Sequence, residues 1–222
     1  MVPLLPLRLR VKPMRNLLQL PRVYALTDVQ LSGRSHAEQV EMLSSGGASL
    51  IQLREKRMPA LEFYEEAKAA VAVAERSGVQ LIINDRVDVA IAVGAHGVHL
   101  GQDDLPPDAA RKLLGESAIV GYSTHNVEQA IEAVKLPIDY LAIGPIFPTT
   151  SKTDTFPVLG LEGLRAVRSA IGDFPLVAIG GITHANARDA VEAGADSVAV
   201  ISALLADPNR ITELTRSLIQ TL

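Results

Sequence analysis

Eight short apolar runs alternate with longer helical stretches along this chain, and that alternation limits the folds open to it. The runs are RVYALTD (22–28), SLIQLRE (49–55), QLIIND (80–85), GVHLG (97–101), AIVGYST (118–124), YLAIGPIF (140–147), PLVAIGG (175–181) and SVAVIS (197–202). Their apolar residues are nearly continuous, which marks strands buried on both faces and hence a parallel sheet. Two of the intervening stretches, HAEQVEMLSSGGA and ANARDAVEAGA, run into glycines of the kind that stop helices. Eight such units in roughly 200 residues fit a single α/β domain, a compact (β/α)8 TIM barrel. The alternative is an open doubly wound sheet. It usually needs fewer strands, and no G-x-G-x-x-G opens the first helix here. The expected division is an N-terminal extension over residues 1–21 and a TIM-barrel domain over 22–222.

Composition narrows the partners. Hydrophobic residues make up 48% of the 222, yet Trp is absent and aromatics reach only 4%, so Ala, Val, Ile and Leu must fill the core. The net charge of -4 argues against nucleic acid as a general partner. The absence of Cys excludes disulfides, thiolate metal sites and a Cys nucleophile, and is compatible with a cytoplasmic location. No apolar run reaches the ~18 residues that would span a bilayer, so no membrane partner is expected. A homo-oligomer is compatible with the sequence, which does not fix the oligomeric state. Residues 1–27 hold five basic side chains and no acidic one, against sixteen basic and twenty-five acidic over 28–222. A targeting segment is one reading of that asymmetry. The Pro-rich, Ser-poor composition favours a poorly ordered extension, or a start at Met14.

In a TIM barrel the chemistry sits where strands end. The second run ends in Gln52, Arg54, Glu55 and Lys56. Period 2 sends Gln52, Arg54 and Lys56 in one direction, toward the barrel mouth, where two cations favour an anionic ligand. A charge cluster exposed at a strand end is the plainer reading, but such cations on a core strand are costly unless paired. The third run ends in Asn84 and Asp85, and the fourth is followed by Gln102, Asp103 and Asp104. Oxygen ligands from Asp85 and Asp104 suit Mg²⁺, which is usually held by one or two carboxylates plus phosphate oxygens. Both residues serve equally as caps of the following helices, and spacing alone leaves the two readings open. The fifth run ends in Ser123, Thr124 and His125, where a lone His is more often structural, and Asn126 is placed to cap the next helix.

After the sixth run comes the one long connection, PTTSKTDTFPV (148–158). Its Thr149, Thr150, Ser151 and Lys152 suit phosphate, and a flexible polar lid is the alternative. The seventh run ends in Gly180 and Gly181 and the eighth in Ile201 and Ser202, the region where barrels commonly hold a phosphate and where glycine lets backbone approach an anion. Two anion sites follow. They imply two small phosphorylated substrates, or one with phosphates at both ends.

Taken together, QLREK, NDRVDVAIAVGAHGVHLGQDD, GYSTHN, GPIFPTTSK, AIGGI and VISAL resemble the thiamine-phosphate synthases in content and order, from about Tyr24 to the C-terminus. The resemblance implies an Mg²⁺-dependent transferase. It joins hydroxymethylpyrimidine pyrophosphate to a thiazole phosphate by a dissociative route, giving thiamine monophosphate and pyrophosphate. It implies a pyrimidine-pyrophosphate site at Gln52, Arg54, Glu55, Lys56, Asn84, Ser123 and Lys152, with Arg54, Lys56 and Lys152 acting on the leaving group. It further implies Mg²⁺ at Asp85 and Asp104, and the thiazole phosphate at Thr149, Thr150, Ser151, Gly181, Ile201 and Ser202. The related thiazole tautomerase is the nearest alternative, but there a His follows the Gly at the end of the sixth strand, where this chain has Pro145. A non-catalytic phosphate-binding barrel is the other, and it has no need of the charged set just named.

Overall fold

A computed structural model describes residues 18–149 and 156–222. The strands are β1 (Val23–Leu26), β2 (Leu50–Leu53), β3 (Gln80–Asn84), β4 (Gly97–Leu100), β5 (Ile119–Thr124), β6 (Tyr140–Ile143), β7 (Leu176–Ile179) and β8 (Ser197–Val200). All pair in parallel and in chain order, and β8 closes on β1 through Val23–Val198 and its neighbours, giving a complete barrel. The helices are α1 (Val29–Ser32), α2 (His36–Ser45), α3 (Ala60–Ser77), α4 (Val87–Val93), α5 (Pro107–Leu114), α6 (Val127–Ala133), α7 (Gly160–Ile171), α8 (Ala187–Glu192), α9 (Ser202–Leu205) and α10 (Ile211–Thr221). Asn126 caps α6 by accepting the Gln129 N–H at 2.8 Å.

The continuous apolar runs are explained by two cores. Ala25, Ile51, Leu53, Leu81, Ile83, Val98, Val120 and Leu141 point outward under the helices. The alternate positions, including Tyr24, Leu26, Leu50, Ile82, Tyr140, Ala142, Val177 and Ala199, fill the barrel interior. With both faces buried, neither set can be polar except where polar groups find partners. Leu18 and Leu20 pack against the interior cluster. The barrel therefore recruits residues 18–21, which the sequence assigned to the extension, while residues 1–17 lie outside the described residues.

One clamp occurs twice on the outside of the barrel. Arg111 of α5 donates to the carbonyls of Pro137, Gly115 and Ala118 and to Asp139, whose carboxylate also accepts the Val120 N–H of β5. Arg168 of α7 does the same with Gly194, Gly172, Phe174 and Asp196, which accepts the Leu176 N–H of β7. Each Asp stands just before its strand, β6 or β8, and each clamp ties a helix to the start of two strands. Arg111 is only 5% exposed, so its charge is held by a full set of acceptors.

Candidate active site

A cavity of about 620 Å³ opens at the C-terminal mouth of the barrel. β2 supplies Gln52 within the strand and Arg54 and Lys56 just beyond it, and all three line the cavity. Both cations are paired there. Arg54 Nη1 donates to Asp28 Oδ2 at 2.9 Å, and Lys56 Nζ donates to Asp85 Oδ2. Glu55 is a correction to the expected grouping: it is absent from the cavity lining and faces the helices. Its Oε1 accepts the N–H groups of Lys56, Arg57 and Met58 at 2.7, 2.7 and 3.1 Å. The alternation that turns its two neighbours inward turns Glu55 outward.

Asn84 and Asp85 end β3 on the adjoining wall, with Asp104 opposite. Asp85 has φ of 62°, the one positive value outside glycine among the described residues. Asp tolerates this left-handed conformation better than most residues, and its backbone N–H is fixed by a 2.8 Å bond to the His99 carbonyl. Burial pushes the Asp85 carboxyl up, Lys56 pulls it back, and the adjacent Asp104 pushes it up again, for a net rise. Asp104 Oδ2 accepts the Gly101 N–H at 2.7 Å, which fixes the turn after β4. Neither residue is a helix cap: Arg86 precedes α4 and Pro106 precedes α5, each without a side-chain cap bond. The Asp85 and Asp104 carboxylates, which line the same cavity beside Lys56, form an oxygen-donor pair suited to a hard divalent cation.

The cavity floor is a chain of hydrogen bonds. Gln52 Nε2 donates to the Tyr24 oxygen at 3.0 Å. The Tyr24 and Tyr140 hydroxyls are 2.9 Å apart, Tyr140 is 2.9 Å from His99 Nδ1, and His99 Nε2 is 2.8 Å from Ser123 Oγ. One direction uses every proton: Gln52 to Tyr24 to Tyr140 to His99 Nδ1, then the His99 Nε2–H to Ser123. Burial pushes both phenols above their ordinary range, so they remain neutral donors. The Tyr140 ring stacks on His99 with centroids 5.5 Å apart, and Gly121 makes this possible. A Cβ there would lie 2.1 Å from Tyr140 Cζ and 2.5 Å from His99 Nδ1.

A smaller pocket of about 60 Å³ adjoins the first, lined by Thr149, Gly181, Ile201 and Ser202 among others. The two share Ser123, His125, Phe156, Ile179, Ala199 and Ile201, so they meet along a common wall instead of facing each other across the mouth. His125 Nδ1 sits 2.8 Å from the Gly144 carbonyl, and its ring stacks on Phe156 at 3.5 Å between centroids. Thr150, Ser151 and Lys152 lie outside the described residues. Gly181 also has a steric role. Its φ is +66°, and a Cβ would sit 2.5 Å from the Pro148 carbonyl oxygen, so it makes room for the connection after β6.

The family model described as thiamine monophosphate synthase matches residues 23–204, which spans every wall of both pockets. The chain belongs to the thiamine monophosphate synthase family. A thiamine-phosphate synthase of Chloroflexus aurantiacus is 50% identical over 186 residues, covering 83% of this chain and 85% of that protein. One from Koribacter versatilis is 49% identical over 198 residues, covering 87% and 93%. Among solved structures, thiamine phosphate pyrophosphorylase from Pyrococcus furiosus superposes with a TM-score of 0.81 at 38% identity, covering 90% of this chain and 94% of that one.

In this thiamine monophosphate synthase family member the structure brings Gln52, Arg54, Lys56, Asn84, Asp85, Asp104 and Ser123 into one cavity. It gathers Thr149, Gly181, Ile201 and Ser202 into the next. Sequence reasoning overlooked Tyr24, His99, Tyr140 and Phe156. Tyr24, His99 and Tyr140 share the inward register of Gln52 and Ser123, so polar atoms recurring at inward positions were the available signal.

Proposed function

We propose that this chain is a thiamine-phosphate synthase that condenses hydroxymethylpyrimidine pyrophosphate with a thiazole phosphate. The observation that carries the reading is the pair of adjoining pockets, one rich in partnered cations and carboxylates, the other built at the ends of β7 and β8. The larger takes the pyrimidine pyrophosphate and the smaller the thiazole phosphate. Asp85 and Asp104 would hold Mg²⁺, whose charge offsets that of the pyrophosphate.

The reaction breaks the bond between the pyrimidine methylene carbon and the pyrophosphate oxygen, and the electron pair leaves with pyrophosphate. The thiazole nitrogen then donates its lone pair to the methylene carbon. No protein nucleophile is required. Arg54 and Lys56 exchange their bonds to Asp28 and Asp85 for bonds to pyrophosphate, and their charge stabilises the leaving group as it departs. Lys152 is assigned to the same group. Gln52 and Ser123 offer polar groups to the edge of a nitrogen heterocycle, held in place by the Tyr24, Tyr140 and His99 chain beneath them.

Among the described residues no helix is long and apolar enough to cross a membrane. The cysteine-free composition supports placing the reaction in the cytoplasm. The test is turnover by the purified chain with both substrates and Mg²⁺. Thiamine monophosphate and pyrophosphate should appear in equal amounts, with neither product formed from either substrate alone. Isomerisation of a thiazole substrate without condensation would assign the chain to the tautomerases instead.

A further inference from the structure

Behind the loop that carries Arg54 and Lys56 lies a polar cluster with no access to the cavity. His36, at the start of α2, is fully buried, as are Thr27 and Gln39. Buried polar side chains persist where they satisfy one another or the backbone, and here the backbone groups served belong to the two segments flanking the mouth. His36 Nδ1 is 2.7 Å from Thr27 Oγ1. Thr27 Oγ1 in turn accepts the Arg54 N–H at 3.3 Å and lies 3.3 Å from the Gln52 carbonyl. On its other edge His36 Nε2 stands 3.8 Å from Glu55 Oε2 and has no hydrogen-bond partner. Glu55 presents its other oxygen to the three consecutive N–H groups of Lys56, Arg57 and Met58.

We propose that His36 is a positioning residue for the phosphate-binding loop, fixing Arg54 through Thr27 and Lys56 through Glu55. The ring bonds to Thr27 at Nδ1, 2.7 Å from a hydroxyl that lies within reach of the Gln52 carbonyl, and turns its Nε2 edge to Glu55 across 3.8 Å. Burial pulls the His36 pKa below its ordinary value, while Glu66 from α3 and Glu55 and Asp28 from the segments after β2 and β1 oppose that change without overcoming it. Glu66 also accepts the His36 backbone N–H at 2.9 Å, which ties α2 to α3 and seats the ring against Phe63. The inference rests on the proposed reading of the larger pocket as a pyrophosphate site.

The experiment compares His36→Phe, which keeps the ring shape and removes both polar edges, with His36→Asn, which restores a polar partner for Thr27, and His36→Gln, which restores a polar group toward Glu55. Three quantities are read: kcat, KM for the thiazole phosphate, and the Kd of inorganic pyrophosphate with Mg²⁺ by calorimetry. Misplaced charges are costly in transfer reactions, so His36→Phe should lower kcat by on the order of tenfold to a hundredfold and weaken pyrophosphate binding. KM for the thiazole phosphate should stay within about twofold, and each polar variant should recover part of the loss. His36→Phe matching the wild type in kcat and pyrophosphate affinity overturns the proposal, as does a loss shared equally by the thiazole phosphate. If His36→Phe does not fold, Thr27→Val removes the bridging hydroxyl alone and must show the same asymmetric loss. A wild-type chain that binds pyrophosphate but makes no thiamine phosphate would refute the proposed function while leaving the positioning role to be decided by the pyrophosphate affinities.

Discussion

Asp85 and Asp104 show how one residue type at a strand end serves different ends. An Asp after a strand suits a helix cap or a metal equally, and only the three-dimensional path separates them. Here the helices start without help from either side chain, and both carboxylates line the cavity. Asn also accepts the left-handed conformation, so Asp85→Asn should keep the backbone and change the unfolding free energy by no more than about 1 kcal/mol. Its turnover should fall by at least about a hundredfold across a Mg²⁺ titration, measured beside its thermal melt. Near-normal turnover would remove Asp85 from the metal site. His36 gives a pH prediction. Its folded pKa lies below the ordinary 6.5, so the unfolded chain takes up the proton first and stability falls as pH drops below 6.5. Melting temperatures from pH 7 to 5 should decline more steeply for the wild type than for His36→Asn. Parallel declines would mean that His36 contributes nothing to acid sensitivity. Gln52, Arg54 and Lys56 were legible because alternation alone orients them. Glu55 was misgrouped with them by adjacency, although the same alternation excludes it.

The strand and helix order was legible because a parallel barrel writes its double burial into continuous apolar runs. The clamps were not, because Arg111 with Asp139 and Arg168 with Asp196 read as ordinary surface charges until the fold brings them together. Removing Arg111 takes the donor from the Pro137, Gly115 and Ala118 carbonyls as well as from Asp139, so Arg111→Ala should cost about 3–5 kcal/mol in urea unfolding. Turnover well below the melting temperature should be unchanged. A cost under about 1 kcal/mol would show the clamp to be ornamental. At the end of β7, Gly181→Ala adds both a strained backbone and a collision with Pro148. It should raise KM for the thiazole phosphate several-fold, while the affinity of Mg²⁺-pyrophosphate stays within about twofold. Equal losses at both ligands would indicate general distortion.

For the whole molecule, the decisive feature is that two pockets with different chemistry share one wall. The sequence placed its two anion sites on different strands, but their distance apart was not legible, because it depends on how eight strands close. The closure sets the ends of β7 and β8 beside the cavity that β2, β3 and β4 line. On the proposed function, that juxtaposition would let a bond form between two separately bound substrates without either leaving the barrel. The measurement that tests it is a calorimetric titration of thiazole phosphate into the chain alone and into the chain saturated with Mg²⁺ and an unreactive analogue of the pyrimidine pyrophosphate in which CH2 replaces the oxygen between the methylene carbon and phosphorus. Adjoining pockets predict one thiazole phosphate per chain in both titrations, with affinity in the presence of the analogue equal or higher. Competition, in which the analogue abolishes thiazole-phosphate binding, would mean that a single pocket serves both and would contradict the account.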